Sequence, residues 1–143
     1  ATQQEVDLLS QTEQDQTLIA DAEKLRNKKI LVVEDTVENQ LLIRLYLEKL
    51  GIEVDLANNG LDGVEKVLSQ DYDAVLMDMQ MPIKDGYEAT QELRAKGKTL
   101  PIIALTGYAM KGDREKCLAV GCSDYFSKPI DRNKLIHVIA KYF

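Results

Sequence analysis

Apolar residues along this chain come in two rhythms. After Lys28, short runs stand at Ile30-Leu31-Val32-Val33, Val54 to Ala57, Ala74-Val75-Leu76-Met77, Ile102-Ile103-Ala104-Leu105 and, shortest of all, Asp124-Tyr125-Phe126. These read as five strands, the first as a β-branched, buried one. Between them lie stretches that read as helices. One starts after Asp35 or Thr36, either of which can cap it, and runs to about Leu50, where Gly51 stops it. The others run from Leu61 to about Ser69 after the turn signal Asn58-Asn59-Gly60, from about Tyr87 to Lys96 after Gly86, from about Asp113 to Val120 before Gly121, and from about Arg132 to Tyr142 behind the cap Asp131. Five strands alternating with five helices predict an α/β class, a doubly wound parallel sheet with helices on both faces and right-handed crossovers. In such sheets ligands bind beyond the carboxyl ends of the strands, near the point where strand order reverses.

Residues 1–28 do not follow this rhythm. They are polar, hold six acids against two bases up to Arg26, and contain neither Gly nor Pro. Leu18, Ala22 and Leu25 recur at helical spacing, whereas Val6, Leu8 and Leu9 do not continue that stripe. The segment reads as a polar linker, partly helical, ahead of one domain over 29–143. Without sustained heptads no coiled coil is expected, and a monomer is. Within the helix after Asp35, Leu42, Leu45 and Tyr46 are taken as the core face. Leu41, Ile43 and Leu47 are then left over, either widening that face or forming a docking patch.

Composition narrows the classes. The chain has 143 residues, 45% hydrophobic and 29% charged, with net charge -6. No basic stripe suits a phosphate backbone, so direct nucleic-acid binding is not expected. No apolar run approaches the about 18 residues that cross a bilayer, and no signal pattern opens the chain. A cytoplasmic location is expected, with a membrane-anchored parent chain left open. Cys117 and Cys122 match neither a redox nor a zinc spacing and read as free thiols. His137, the one histidine, lies in the last predicted helix and is assigned to packing. No GxxxxGK[ST] loop and no dinucleotide fingerprint are present, and a Ser-His-Asp triad would depend on His137.

The residues that follow the strands carry the chemistry. Glu34 and Asp35 follow the first, Asp78 the third, Thr106 the fourth, and Lys128 the fifth after one serine. Three carboxylates, a hydroxyl and an ammonium thus meet on one rim. Hard oxygen ligands favour magnesium or manganese over zinc. A cation would neutralise phosphoryl oxygens, Lys128 would add a positive point charge, and Thr106 a hydrogen-bond donor. A carboxylate can attack phosphorus, and Asp78 is central and follows a buried strand, so it is the candidate phosphoacceptor. Asp71, Asp73 and Asp85 read as structural or solvated.

Taken together, Val32-Val33-Glu34-Asp35, Met77-Asp78-Met79-Gln80-Met81-Pro82, Asp85-Gly86, Ala104-Leu105-Thr106 and Lys128-Pro129 resemble the receiver domain of two-component response regulators. The stretches around Met77 to Thr90 and Phe126 to Pro129 look most like receivers of hybrid sensor histidine kinases. The resemblance implies a flavodoxin-like fold with strand order 2-1-3-4-5. It implies phosphorylation of Asp78 by a phosphohistidine, on a histidine kinase dimerisation domain or a histidine phosphotransfer protein. The cation would be held by Asp35, Asp78, the Gln80 carbonyl and, through water, Glu34. Lys128 and Thr106 would contact the phosphoryl group. Thr106 and Tyr125 would switch the surface formed by the fifth strand and the helices on either side of it. Gln80 and Tyr108 would influence the lifetime of the phosphoaspartate, and the bond before Pro129 would be cis. Two positions depart from the pattern: Glu34 stands where aspartate is commoner, and Gly107 where alanine is usual. The alternatives are a stand-alone regulator, a metal-dependent aspartyl-phosphate phosphatase, which Gln80 in place of a second aspartate disfavours, and an interaction module with a vestigial site. The domain would catalyse only its own phosphorylation and dephosphorylation; a hybrid parent would be a histidine kinase.

Overall fold

β3 (Ala74–Asp78) and β4 (Ile102–Thr106) bury all five of their residues, and β1 (Lys29–Val33) buries all but the first. Strands this apolar on both sides can only lie inside a parallel sheet covered twice. β2 (Glu53–Ala57) and β5 (Asp124–Ser127) are more exposed and form the edges. The computed structural model describes residues 16–107 and 112–143 and shows one sheet, all parallel, in the order β2-β1-β3-β4-β5. This is the doubly wound order implied by the family resemblance.

The helices are α1 (16–25), α2 (Val37–Glu48), α3 (Gly60–Ser69), α4 (Gly86–Ala95), α5 (Asp113–Ala119) and α6 (Arg132–Ala140). Alternate residues of each central strand feed opposite cores. Ile30 and Val32, with Ala74, Leu76, Ile103 and Leu105, pack towards α2 and α6. Leu31 and Val33, with Val75, Met77, Ile102 and Ala104, pack towards α3, α4 and α5. Caps fix several helix starts. Asn59 accepts from the Asp62 N–H (2.8 Å), Asp85 from Glu88 (2.9 Å) and Asp131 from Lys134 (3.1 Å). Asp73 accepts from the Lys29 N–H at 2.7 Å, a structural role, while Asp71 is exposed. Both cysteines are free and buried.

The core face of α2 is Gln40, Ile43 and Leu47, not Leu42, Leu45 and Tyr46. A polar side chain heads the buried stripe, so an apolar pattern alone selects the wrong face. Leu41 and Leu45 are 58% and 50% exposed, and Val37 in the same row is 63% exposed. Nor is His137 a core residue. Its side chain is 57% exposed, and its Nδ1 lies 2.9 Å from Oδ2 of the buried Asp21 on α1. Leu25 of α1 is wholly buried and Leu18 packs partly, both in the cluster shared by α2 and α6. Val6, Leu8 and Leu9 lie outside the described residues.

Candidate functional site

The sheet order reverses between β1 and β3, and the crevice above their carboxyl ends holds the acidic residues. Val33 pairs with Met77, so Glu34 and Asp35 leave β1 level with Asp78. Asp78 stands opposite Leu105, which sets Thr106 one step further along β4. Thr106 in turn pairs with Ser127, and its carbonyl accepts from the Lys128 N–H at 2.8 Å, which anchors the start of the β5–α6 loop. The Lys128–Pro129 bond that follows is cis.

The side chains of Glu34, Asp35, Asp78 and Lys128 thus come together at the rim. Lys128 Nζ lies 3.1 Å from Glu34 Oε2 and 3.3 Å from Asp78 Oδ2. Asp35 contributes a carboxylate oxygen within 4.8 Å of those of Glu34 and Asp78. Thr106 is buried at the same rim. The Gln80 N–H donates to Asp78 Oδ1 at 3.0 Å. Glu34 is fully buried, and its Oε1 accepts from the Thr36 N–H (3.2 Å) and from Asn39 Nδ2 (3.4 Å). Tyr125 is half-buried against the second core. Tyr108 lies outside the described residues. Gly107 is exposed, and a methyl group there would meet open space.

The electrostatics follow from burial. Loss of hydration pushes the Asp78 carboxyl up to about 6, reinforced by the Glu34 carboxylate and opposed by the Gln80 N–H and the Lys128 ammonium. Burial would raise Glu34 as well. Hydrogen bonding with Asp78, the Lys128 ammonium and the Thr36 N–H outweigh it and hold Glu34 below the ordinary carboxylate range. Burial would lower Lys128, but the two carboxylates outweigh it and keep the ammonium charged. A proton or a cation therefore relieves this acidic cluster. Asp35 suits the second option, because it is exposed and its carboxylate makes no hydrogen bond or ion pair among the described residues. Oxygen donors with room for water fit magnesium.

Glycine makes the crevice compact. A Cβ on Gly86 would run into the Asp78 carbonyl and come within 2.8 Å of Met79 Cα, so α4 approaches β3 more closely than any side chain allows. Sequence reasoning does not reach Asn39 or Gln40. The available signal was the spacing of Gln40 with Ile43 and Leu47, which places a polar group on the buried face just beyond the acidic pair.

Comparison with known proteins agrees with this geometry. A family model described as the response regulator receiver domain matches residues 30–140. The chain is 44% identical over 119 residues to hybrid signal transduction histidine kinase G of Dictyostelium discoideum, covering 80% of this chain and 4% of that protein. Among solved structures, the receiver domain of a Pseudomonas aeruginosa sensor histidine kinase, with magnesium coordinated in its active-site cleft, is 44% identical. The match has a TM-score of 0.75 and covers 81% of this chain and 97% of that one. A chain of the Saccharomyces cerevisiae complex between the histidine phosphotransfer protein Ypd1 and the receiver domain of Ssk1 is 30% identical. Its TM-score is 0.76, and the match covers 82% of this chain and 90% of that one. No helix among the described residues is long and apolar enough to cross a membrane.

Proposed function

Because the chain belongs to the response regulator receiver domain family of two-component systems, we propose that it takes a phosphoryl group from a phosphohistidine onto Asp78. The observation that carries this reading is Lys128, whose ammonium bridges Glu34 and Asp78 above the topological switch point. An Asp78 oxygen attacks phosphorus, the P–O bond forms, and the N–P bond to the donor imidazole breaks. Asp35, Asp78 and the Gln80 carbonyl would hold magnesium or manganese, with Glu34 acting through water. The bound ion supplies positive charge for the phosphoryl oxygens. Lys128 then exchanges its bond to Asp78 for one to a phosphoryl oxygen, and Thr106 donates to another. Movement of Thr106 and rotation of Tyr125 would carry the change to the surface of α5, β5 and α6.

The partner proposed is a helix bundle bearing the donor histidine, on a kinase dimerisation domain or a phosphotransfer protein. Val37, Leu41 and Leu45 recur every four residues along one exposed face of α2, beside the site, and would receive an apolar helix surface. The chain spans a small part of its first curated relatives, 4% and 17% of their length. We therefore propose that it acts as the receiver module of a hybrid histidine kinase, in a reducing cytoplasm that suits two free buried thiols.

The test is phosphate incorporation from a phosphohistidine donor and from acetyl phosphate, with magnesium and with chelator. The parent should form an acid-stable, alkali-labile acyl phosphate only with the metal, and Asp78→Asn should form none. Equal labelling of Asp78→Asn would remove Asp78 from the role, and no labelling of the parent would leave an interaction module.

A further inference from the structure

We propose that Gln40 is a positioning residue for the divalent cation, acting through the backbone of Glu34. The proposal rests on the reading that the acidic cluster binds such an ion. Gln40 is 6% exposed and lies one turn into α2, outside the cluster. Its single amide nitrogen donates twice, to the Glu34 carbonyl at 2.5 Å and to Asn58 Oδ1 at 3.0 Å. Both hydrogens of that group are therefore committed. From the other side, the Glu34 N–H donates to the Ala57 carbonyl at 3.0 Å. Glu34 is thus held at its nitrogen by β2 and at its carbonyl by α2.

What this does for the site follows from peptide planarity. The Glu34 carbonyl, the Asp35 nitrogen and the Asp35 Cα lie in one plane, so fixing the carbonyl fixes the direction in which Asp35 leaves the strand. Asp35 has no side-chain bond to another group among the described residues, and it is the most exposed member of the cluster. Gln40 therefore orients the two successive acids at once. Through Asn58 it also joins the β1–α2 loop to the β2–α3 loop. Without the amide, the Glu34 peptide can rotate to face water, and the Asp35 carboxylate swings off the position facing Asp78.

The experiment measures magnesium affinity by calorimetry with no phosphodonor present, next to thermal unfolding in chelator. Gln40→Met keeps the volume and removes both donors. Ile43→Val, on the same buried face, is the control for loss of packing alone. Gln40→Met should weaken magnesium binding about tenfold, the size typical for a group behind a metal ligand, while Ile43→Val leaves affinity at the parent value. Gln40→Glu, which sets an acceptor against the carbonyl, should weaken it further. Parent-like affinity in Gln40→Met, or an equal loss in Ile43→Val, would overturn the proposal and leave Gln40 a packing residue. Asp35→Asn separates this from failure of the site itself. If the parent binds no magnesium, or Asp35→Asn binds it as tightly, the cation reading falls and the Gln40 proposal with it.

Discussion

At the scale of single residues, charge compensation organises the site. Lys128 answers two buried carboxylates, and Asp78 tolerates its position because it shares their company with an ammonium and an N–H. Replacing Lys128 by Met removes the cation while keeping the apolar stem. Phosphate incorporation from acetyl phosphate should then fall about a hundredfold, as for other preorganised groups that meet developing charge. The domain should remain folded, since Asp78 can take up a proton in compensation. Undiminished labelling would place Lys128 outside the chemistry. A second pair lies at the β2 edge of the sheet, where Tyr72 donates to Asp55 Oδ2 at 2.5 Å. That hydrogen bond holds Asp55 below the ordinary carboxylate range, and burial with the same bond raises the Tyr72 hydroxyl. A depressed carboxylate stabilises the fold above its unfolded pKa and loses that contribution as pH falls through its folded value. A raised phenol contributes below its ordinary value and is lost only in strong alkali. The parent should therefore be more stable than Tyr72→Phe through the neutral range, and the gap measured by urea titration should close below about pH 4. A gap that persists in acid would mean that Tyr72 acts through packing rather than through Asp55.

At the scale of elements, α2 is the most informative. Its buried row begins with Gln40, which hydrogen-bonds rather than packs, so hydrophobic periodicity points one face too far round. The residues left over from that face divide between the two readings open to them. Ile43 and Leu47 are core, and the exposed apolar row is Val37, Leu41 and Leu45. Leu41→Glu should slow transfer from a phosphohistidine protein at least tenfold, because a buried charge in an apolar contact costs more than about 1.4 kcal/mol. Labelling by acetyl phosphate and the unfolding midpoint should not change. Equal slowing with both donors would show that the substitution disturbs the site and not docking. Strand ends were easier to read than this helix face. An apolar run that stops at Glu34, Asp78 or Thr106 marks the rim directly, and the parallel pairing then brings those positions level. Side-chain partners such as Asn39 with Glu34 were not legible, since they depend on how α2 enters the loop.

At the scale of the whole molecule, layering followed from alternation and strand order from the family resemblance, while the place of α1 followed from neither. Its apolar spacing predicted a helix, but spacing cannot say what a helix packs against. The family model begins at residue 30, yet Leu25 is fully buried in the same cluster as Ile43, Leu47, Leu135 and Ile139. Asp21, also buried, meets His137 on α6, and the Asn27 N–H donates to the Gly51 carbonyl beyond α2 at 3.0 Å. α1 therefore meets α6 directly and shares its core cluster with α2. Leu25→Ala should destabilise the domain by about 2–5 kcal/mol, the range for emptying a core leucine site. Hydrogen exchange should speed up in α1 and α6 in this variant, and His137→Ala should loosen α1 with a smaller loss of stability. A tether with no structural role makes the opposite forecast: Leu25→Ala would be neutral, and a chain starting at Lys28 would unfold at the parent midpoint. The geometry favours the first outcome, because a leucine with no exposed surface has already exchanged water for the core, and its removal leaves a cavity that the rigid sheet cannot close.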